Sequence, residues 1–498
     1  MRASGILLPI FSLPSPYGIG TFGKEAYDFV DFLQKSGQRY WQLLPLNPTN
    51  VGDSPYQSFS SFAGNPYFID IDRLVEEGLL VAGEAEAFDF GDAPHRIDYG
   101  KLYENRPRLL KKAFARFTPD EDYRAFCIQN GWWLDDYALF MAIKEATGEV
   151  AWNEWEPALR LRRKAAMKAA VKQYAAAMDY HRFVQYEFSK QWTALKTYAN
   201  EKGILLIGDI PIYVAYDSAD VWADPKQFLL DKSGRPELVA GVPPDAFCED
   251  GQLWGNPLYD WVAMEEEHFA WWKRRLRYAL TLFDVVRIDH FRGFESFFAI
   301  PYGDTDARGG HWIKGPDMAL FDELKATFGE LPIIAEDLGF LTPAVKKMLT
   351  ASGFPGMKVL QFAFDTREES DYLPHNYGRN CVVYTGTHDN DTVLGWTTSA
   401  DPADVAHARR YLHVDDNEGF NWAMMRAALG SVADTAILMM QDLIGLGSEA
   451  RINTPSTLGG NWQWRIGAGC ANDWLANIIR ENTALYGRLP KPTPKSEE

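Results

Sequence analysis

The sequence predicts a (β/α)8 barrel, an α/β fold in one unit spanning residues 1–498, with helical and irregular insertions between the barrel strands. Three observations lead there. Short apolar, β-branched runs recur along the chain, helical patterns lie between several of them, and acidic residues stand at successive C-terminal ends of the runs. A parallel strand covered on both faces reads as a continuous apolar run, and a barrel gathers its strand C-termini on one face. The competitor is a doubly wound open sheet. It is expected to carry a glycine-rich phosphate turn after its first strand, and the chain has no GxxxxGKS/T.

In chain order, the expected strands are 40–46 (YWQLLPL), 204–210 (ILLIGDI), 283–289 (FDVVRID), 331–337 (LPIIAED), 357–364 (MKVLQFAF) and 381–389 (CVVYTGTHD). Helical spacing marks 262–282, 316–329 and 402–412. Residues 71–200 read as a largely helical insertion, for which packing is the default role. Residues 213–261, rich in Pro, Gly and Trp, read as an irregular insertion contributing a lid, with 247–261 as its aromatic edge. The tail 490–498 reads as disordered.

The formal charge of -18, from 50 Lys and Arg against 68 Asp and Glu, repels phosphate backbones and anionic lipid. Nucleic acid and membrane are therefore excluded as expected partners. Cys127, Cys248, Cys381 and Cys470 are far apart with no CxxC pair, which argues against a zinc knuckle or a disulfide framework and for a reducing cytoplasm. The opening apolar run is broken by Pro9, Pro14 and Pro16, so a soluble, non-exported chain is expected. With 17 Trp, 23 Tyr and 30 Phe the chain is rich in rings. These suit a large core, and equally the apolar faces and hydroxyl edges of sugars.

Three strand ends carry the candidate chemistry. In FDVVRIDHFRG the period of two along a strand puts Arg287 and Asp289 on one side, where the guanidinium keeps the carboxylate ionised. A carboxylate nucleophile needs that charge, though an ion pair holding a strand end explains the pattern equally well. In LPIIAEDLG, desolvation at the strand end would keep a proton on a carboxyl, as a general acid requires. Adjacent strand residues face opposite sides, and the residues alone do not choose between Glu336 and Asp337. In VVYTGTHDND, Asp389 can grip sugar hydroxyls with His388 beside it; the calcium-loop reading of Asp389, Asn390 and Asp391 lacks the glycine and glutamate of such a loop. No metal or other cofactor is expected. The chain has no GxSxG elbow, and three acids at three strand ends are what glycoside chemistry uses: one attacks, one moves a proton, one holds the distorted ring.

The motifs VRIDHFRG, IIAEDLG and GTHDND resemble those of the amylomaltases, the 4-α-glucanotransferases of glycoside hydrolase family 77. So do GILLPIFSLPSPYGIG, GDSPYQSFSSFAGNPYFID, GDIPIYV, GVPPDAFCEDGQLWGNPLYDW and RINTPSTLGGNWQWR, which spread the resemblance over nearly the whole chain. It implies Asp289 as nucleophile, Glu336 as acid/base and Asp389 as transition-state stabiliser. Binding roles are implied for Tyr56, Asp209, Gln252, Trp254, Arg287, His290, His388 and Asn461. The related α-amylases usually carry a histidine near the end of the strand matching ILLIGDI, and its absence from GDIPIYV favours the glucanotransferase branch. Two positions depart from the family pattern: Ala246 stands where a tyrosine is common, and Val51 where an aromatic often precedes GDSPYQ. The implied partners are α-1,4-glucan and maltooligosaccharide substrates, with glucose as an acceptor.

Overall fold

In chain order the strands among the described residues are β1 (Ala3–Leu7), β2 (Tyr40–Gln42), β3 (Leu205–Ile210), β4 (Leu238–Val242), β5 (Gln252–Pro257), β6 (Val285–Ile288), β7 (Ser296–Pro301), β8 (His311–Lys314), β9 (Ile333–Ala335), β10 (Gly356–Val359), β11 (Cys381–Tyr384) and β12 (Thr435–Met439). The computed structural model describes residues 2–50, 52–244, 249–339, 341–367, 369–415 and 417–491. Val51, Ala246, Phe247 at the start of the expected lid, and 492–498 of the expected tail lie outside them.

Eight of these strands form one parallel sheet in the order β10-β11-β12-β1-β2-β3-β6-β9. That order is the chain order wrapped round, the signature of a (β/α)8 barrel. The ends meet at β9 and β10, where the Ala335 N–H donates to Pro355 O at 2.9 Å and the Met357 N–H to Asp337 Oδ1 at 2.6 Å. Every residue of β1 is buried, as expected of a strand covered on both faces. Gly5 has to be glycine, because a Cβ there would lie 2.5 Å from Tyr40 Cβ.

Residues 18–23 (GIGTFG) spell the GxGxxG of dinucleotide sites, a pattern that in the sequence alone counts against the barrel. The structure gives its glycines a packing role. A Cβ on Gly18 would meet Phe90 O at 2.1 Å, one on Gly20 Ile10 O at 1.9 Å, and one on Gly23 Asp70 Oδ2 at 2.1 Å.

Helices clothe the barrel. Lys24–Lys35 buries Ala26, Phe29, Val30 and Leu33, the spacing of one helical face. Within 71–200, Glu121–Thr147 is started by the Asp120 side chain accepting from the Tyr123 N–H and stopped by Gly148 at φ 74°. It packs along Ala175–Glu201. The pattern at 262–282 resolves into two helices, Trp261–Glu266 and Ala270–Leu282, broken at His268 and Phe269, both at positive φ. No helix among the described residues is long and apolar enough to cross a membrane.

The stretch 213–261 is less irregular than its composition implies. It contains β4 and β5, which join β7 and β8 in an antiparallel sheet ordered β5-β4-β7-β8 at the C-terminal end of β6. Half of that sheet lies beyond residue 295, so no local pattern in 213–261 announces it.

Candidate active site

The strand C-termini meet at a cleft of about 560 Å³. All the predicted site residues line it except Asp209, Arg287 and Glu336, which lie directly behind its wall. At the centre is Arg287, buried on β6, whose Nη1 donates to Asp209 Oδ2 at 2.6 Å and whose Nη2 lies 2.9 Å from Asp289 Oδ1. Asp289 follows β6 with its N–H bonded to Ile210 O of β3 at 3.0 Å, and its side chain is 30% exposed to the cleft. Burial disfavours the guanidinium charge, but Asp209 and Asp289 outweigh it and hold the Arg287 pKa well above the usual value. The pairing expected from the period of two is therefore present.

Glu336 and Asp337 part company after β9, as alternation requires. Asp337 is buried in the seam, accepting from Met357 N–H. Glu336 turns to the site: its Oε2 accepts from the His290 N–H at 2.7 Å and its Oε1 from the Leu338 N–H at 2.8 Å. Two donors favour the ionised carboxylate, yet burial and then the charge of Asp289 prevail and push its pKa up to about 8. Glu336 as a residue is half-buried, and it sits behind His290, which lines the cleft.

Asp389, 43% exposed, is held from two sides: Asn453 Nδ2 donates to its Oδ1 at 2.6 Å and Arg451 Nη2 to its backbone O at 2.7 Å. His388 is buried, 3.4 Å from Asp389 Oδ1, and stacks on Tyr56 with ring centroids 5.1 Å apart. The Tyr56 hydroxyl donates to Asp209 Oδ2 at 2.9 Å. Burial raises the Asp209 carboxyl to about 6 against the pull of Arg287, and its Oδ1 is buried without a hydrogen-bond partner among the described residues.

His290 adopts the left-handed conformation, φ 53° and ψ 48°, which aims its N–H at Glu336. Its ring stands edge-on to Trp254 at 4.9 Å, its Nε2 has no partner among the described residues, and burial lowers its pKa to about 4. It is thus a neutral imidazole on the cleft wall. Gln252 and Trp254 share a face of β5, the indole N–H donating to Gln252 Oε1 at 3.0 Å. Asn461 lines the cleft but spends its side chain on its own loop, accepting from the Thr454 N–H at 3.0 Å and donating to Thr457.

Asn453, Arg451 and Trp462 are site residues that the reading of single residues missed. They sit on a connection without periodicity, and the one signal was their place inside RINTPSTLGGNWQWR. Among the described residues no cluster of His, Cys, Asp or Glu is arranged to hold a metal ion.

The family model for 4-alpha-glucanotransferase matches residues 8–469. A 4-alpha-glucanotransferase of Clostridium butyricum is 50% identical over 483 residues, 96% of this chain and 99% of that protein. One of Thermus thermophilus is 51% identical over 479 residues, covering 93% and 95% of the two chains. The amylomaltase of Streptococcus agalactiae, solved in complex with acarbose, superposes with a TM-score of 0.96 at 42% identity, with 98% of this chain and 100% of that one covered. With a family model spanning nearly its whole length and relatives at half identity, the chain belongs to the 4-α-glucanotransferases of glycoside hydrolase family 77.

Proposed function

We propose that this enzyme moves α-1,4-glucan segments from a donor maltodextrin to the 4-hydroxyl of glucose or another glucan by double displacement with retention at the anomeric carbon. Glu336 protonates the glycosidic oxygen as the Asp289 carboxylate attacks the anomeric carbon. The C–O bond breaks, the shortened glucan leaves as an alcohol, and a covalent glucosyl-aspartate remains. Glu336, now ionised, takes the proton from the incoming 4-hydroxyl as that oxygen displaces Asp289, which restores both carboxyls. The observation that carries this reading is one site that places a guanidinium against Asp289 and buries Glu336. Arg287 stands 2.9 Å from Asp289, and burial holds a proton on Glu336 to about pH 8.

Asp389, braced by Asn453, grips hydroxyls of the ring that flattens at the transition state, with His388 beside it. His290 lines the cleft with its Nε2 buried and unpartnered among the described residues, and Tyr56 and Trp254 supply apolar faces. Gln252 and Asn461 shape the cleft wall. Transfer wins over hydrolysis when the acceptor site is filled and water is limited, a task assigned to the β5 edge and the 453–462 connection, both of which line the cleft. Unpaired Cys127, Cys381 and Cys470 support a reducing, cytoplasmic setting.

Maltotriose tests the reading. Expected products are glucose with longer and shorter maltodextrins and little net growth of reducing ends; growth in step with consumption makes the enzyme a maltodextrin hydrolase instead. Asp289→Ala should reduce transfer to background in a protein of unchanged circular dichroism. Substantial residual transfer removes Asp289 from the nucleophile's role.

A further inference from the structure

The segment that carries Tyr56 into the cleft has a second recess at its other end. On the way it is pinned twice, by the Ala219 N–H to Phe59 O at 2.8 Å and by the Ser61 N–H to Asp220 Oδ2 at 2.7 Å. Beyond the pins lies a concavity of about 220 Å³. Phe62, Trp133 and Trp271 are buried around it, while Trp132 is 47% exposed with its ring edge-on to Phe62 at 4.8 Å. The contacts of Trp132 among the described residues are ring contacts alone, to Phe62 and Tyr278, so its indole N–H is free for a ligand.

A single exposed tryptophan needs no explanation. One that walls a concavity on which polar groups converge has the form of a binding site. The polar groups here are mutually neutralised. Asp224 lies 3.4 Å from Arg274, and Asp136 lies 2.6 Å from Arg162. Asp220 is buried and already accepts an N–H. No unpaired cation is offered to a phosphate, whereas side chains that donate and accept around an exposed indole suit a neutral ring with apolar C–H faces and hydroxyl edges. The volume is below the ~300–1,000 Å³ that encloses a drug-sized ligand, which limits the occupant to one or two sugar rings.

We infer that this recess is a second glucan site, holding a short stretch of a long α-1,4-glucan on Trp132 while another part of the same molecule enters the catalytic cleft. Six peptide steps separate Tyr56 from Phe62 and span at most about 21 Å, so one polymer can reach both places. A glucan held at the recess presents its remaining length at a raised effective concentration. The benefit goes to long glucans and not to maltotriose. The inference rests on the glucan chemistry proposed for the cleft and adds a place outside it.

Trp132→Ala and Arg274→Ala test it, with native gels containing amylose and kinetics on amylose and maltotriose as donors. Expected are weaker retardation by amylose and a KM for amylose raised by about 3–10-fold, the scale of a lost aromatic contact. The kcat on amylose and both constants on maltotriose should stay unchanged, and Trp132→Phe should restore part of the retardation. Unchanged retardation and KM in both variants overturn the inference. So does an equal loss on both donors, which marks a structural role. Should the parent fail to transfer from maltotriose, the cleft reading falls, while gel retardation still decides the recess.

Discussion

Glu336 sits under opposed pulls, two backbone donors on one side and burial with the Asp289 charge on the other. Because the second pair wins, its pKa stands at about 8, and two consequences have a definite sign. Acting first as an acid, it must be protonated, so kcat/KM on maltotriose should fall as pH rises through about 8. Glu336→Gln should lower kcat by roughly 10²–10⁴-fold and remove that alkaline limb from the residual rate; a limb that persists belongs to another group. A carboxyl whose folded pKa is raised favours the fold fully below its unfolded value near 4.5, and this contribution is lost as pH climbs to about 8. The neutral glutamine has no such loss. Denaturation midpoints of parent and variant should therefore diverge in the variant's favour between pH 4.5 and 8.

At this scale much of the site was legible in the sequence. Arg287 and Asp289 had to share a face, and strand ends had to converge. The residues alone left Glu336 and Asp337 open and the family resemblance implied Glu336; the closed seam supplies the physical reason, since it takes up Asp337. Asn453 was out of reach because its contact with Asp389 joins residues 64 apart through a connection with no pattern to read.

Among the elements, the helix Ala175–Glu201 does more than cover the barrel. Gln185 presents its side-chain amide to Gly64 as a strand would, accepting from the Gly64 N–H at 2.7 Å and donating to its carbonyl at 2.9 Å. Gln191 repeats the device on Asp70, accepting from its N–H at 2.7 Å. The Tyr56-bearing segment is thereby fixed to a rigid rod. Gln185→Leu keeps the volume but strands a buried donor and acceptor, each worth about 1–3 kcal/mol. The expected loss is about 2–6 kcal/mol in urea denaturation, and an unshifted midpoint refutes the clamp. Such pairings explain why element types were readable while their joints were not. Helical spacing is local, whereas a glutamine that stands in for a strand is one polar residue among many. The sheet β5-β4-β7-β8 escaped for the same reason, since Leu238 finds its partner at Pro301.

The whole molecule is a ring closed at one weak point. Between β9 and β10 the described residues offer one backbone bond, Ala335 to Pro355, and one side-chain bond from Met357 to Asp337. Asp337→Ala should open this seam, cost about 1–3 kcal/mol and speed hydrogen exchange at the Met357 amide. Asp337→Asn, which keeps an acceptor, should do so far less, and equal exchange in the two variants would contradict the seam's dependence on that carboxylate.

The pairing of β1 with β12 has a consequence in time. Ala3 lies beside Thr435, so during synthesis the first strand waits for a neighbour encoded 432 residues later. At about 5–20 residues per second the wait is roughly 20–90 s, with the apolar edge of β1 unpaired for all of it. Such an edge invites other chains. β2, made within the first few seconds, pairs the other edge of β1, so the edge that faces Thr435 stays open until the ribosome delivers the strand that completes the ring.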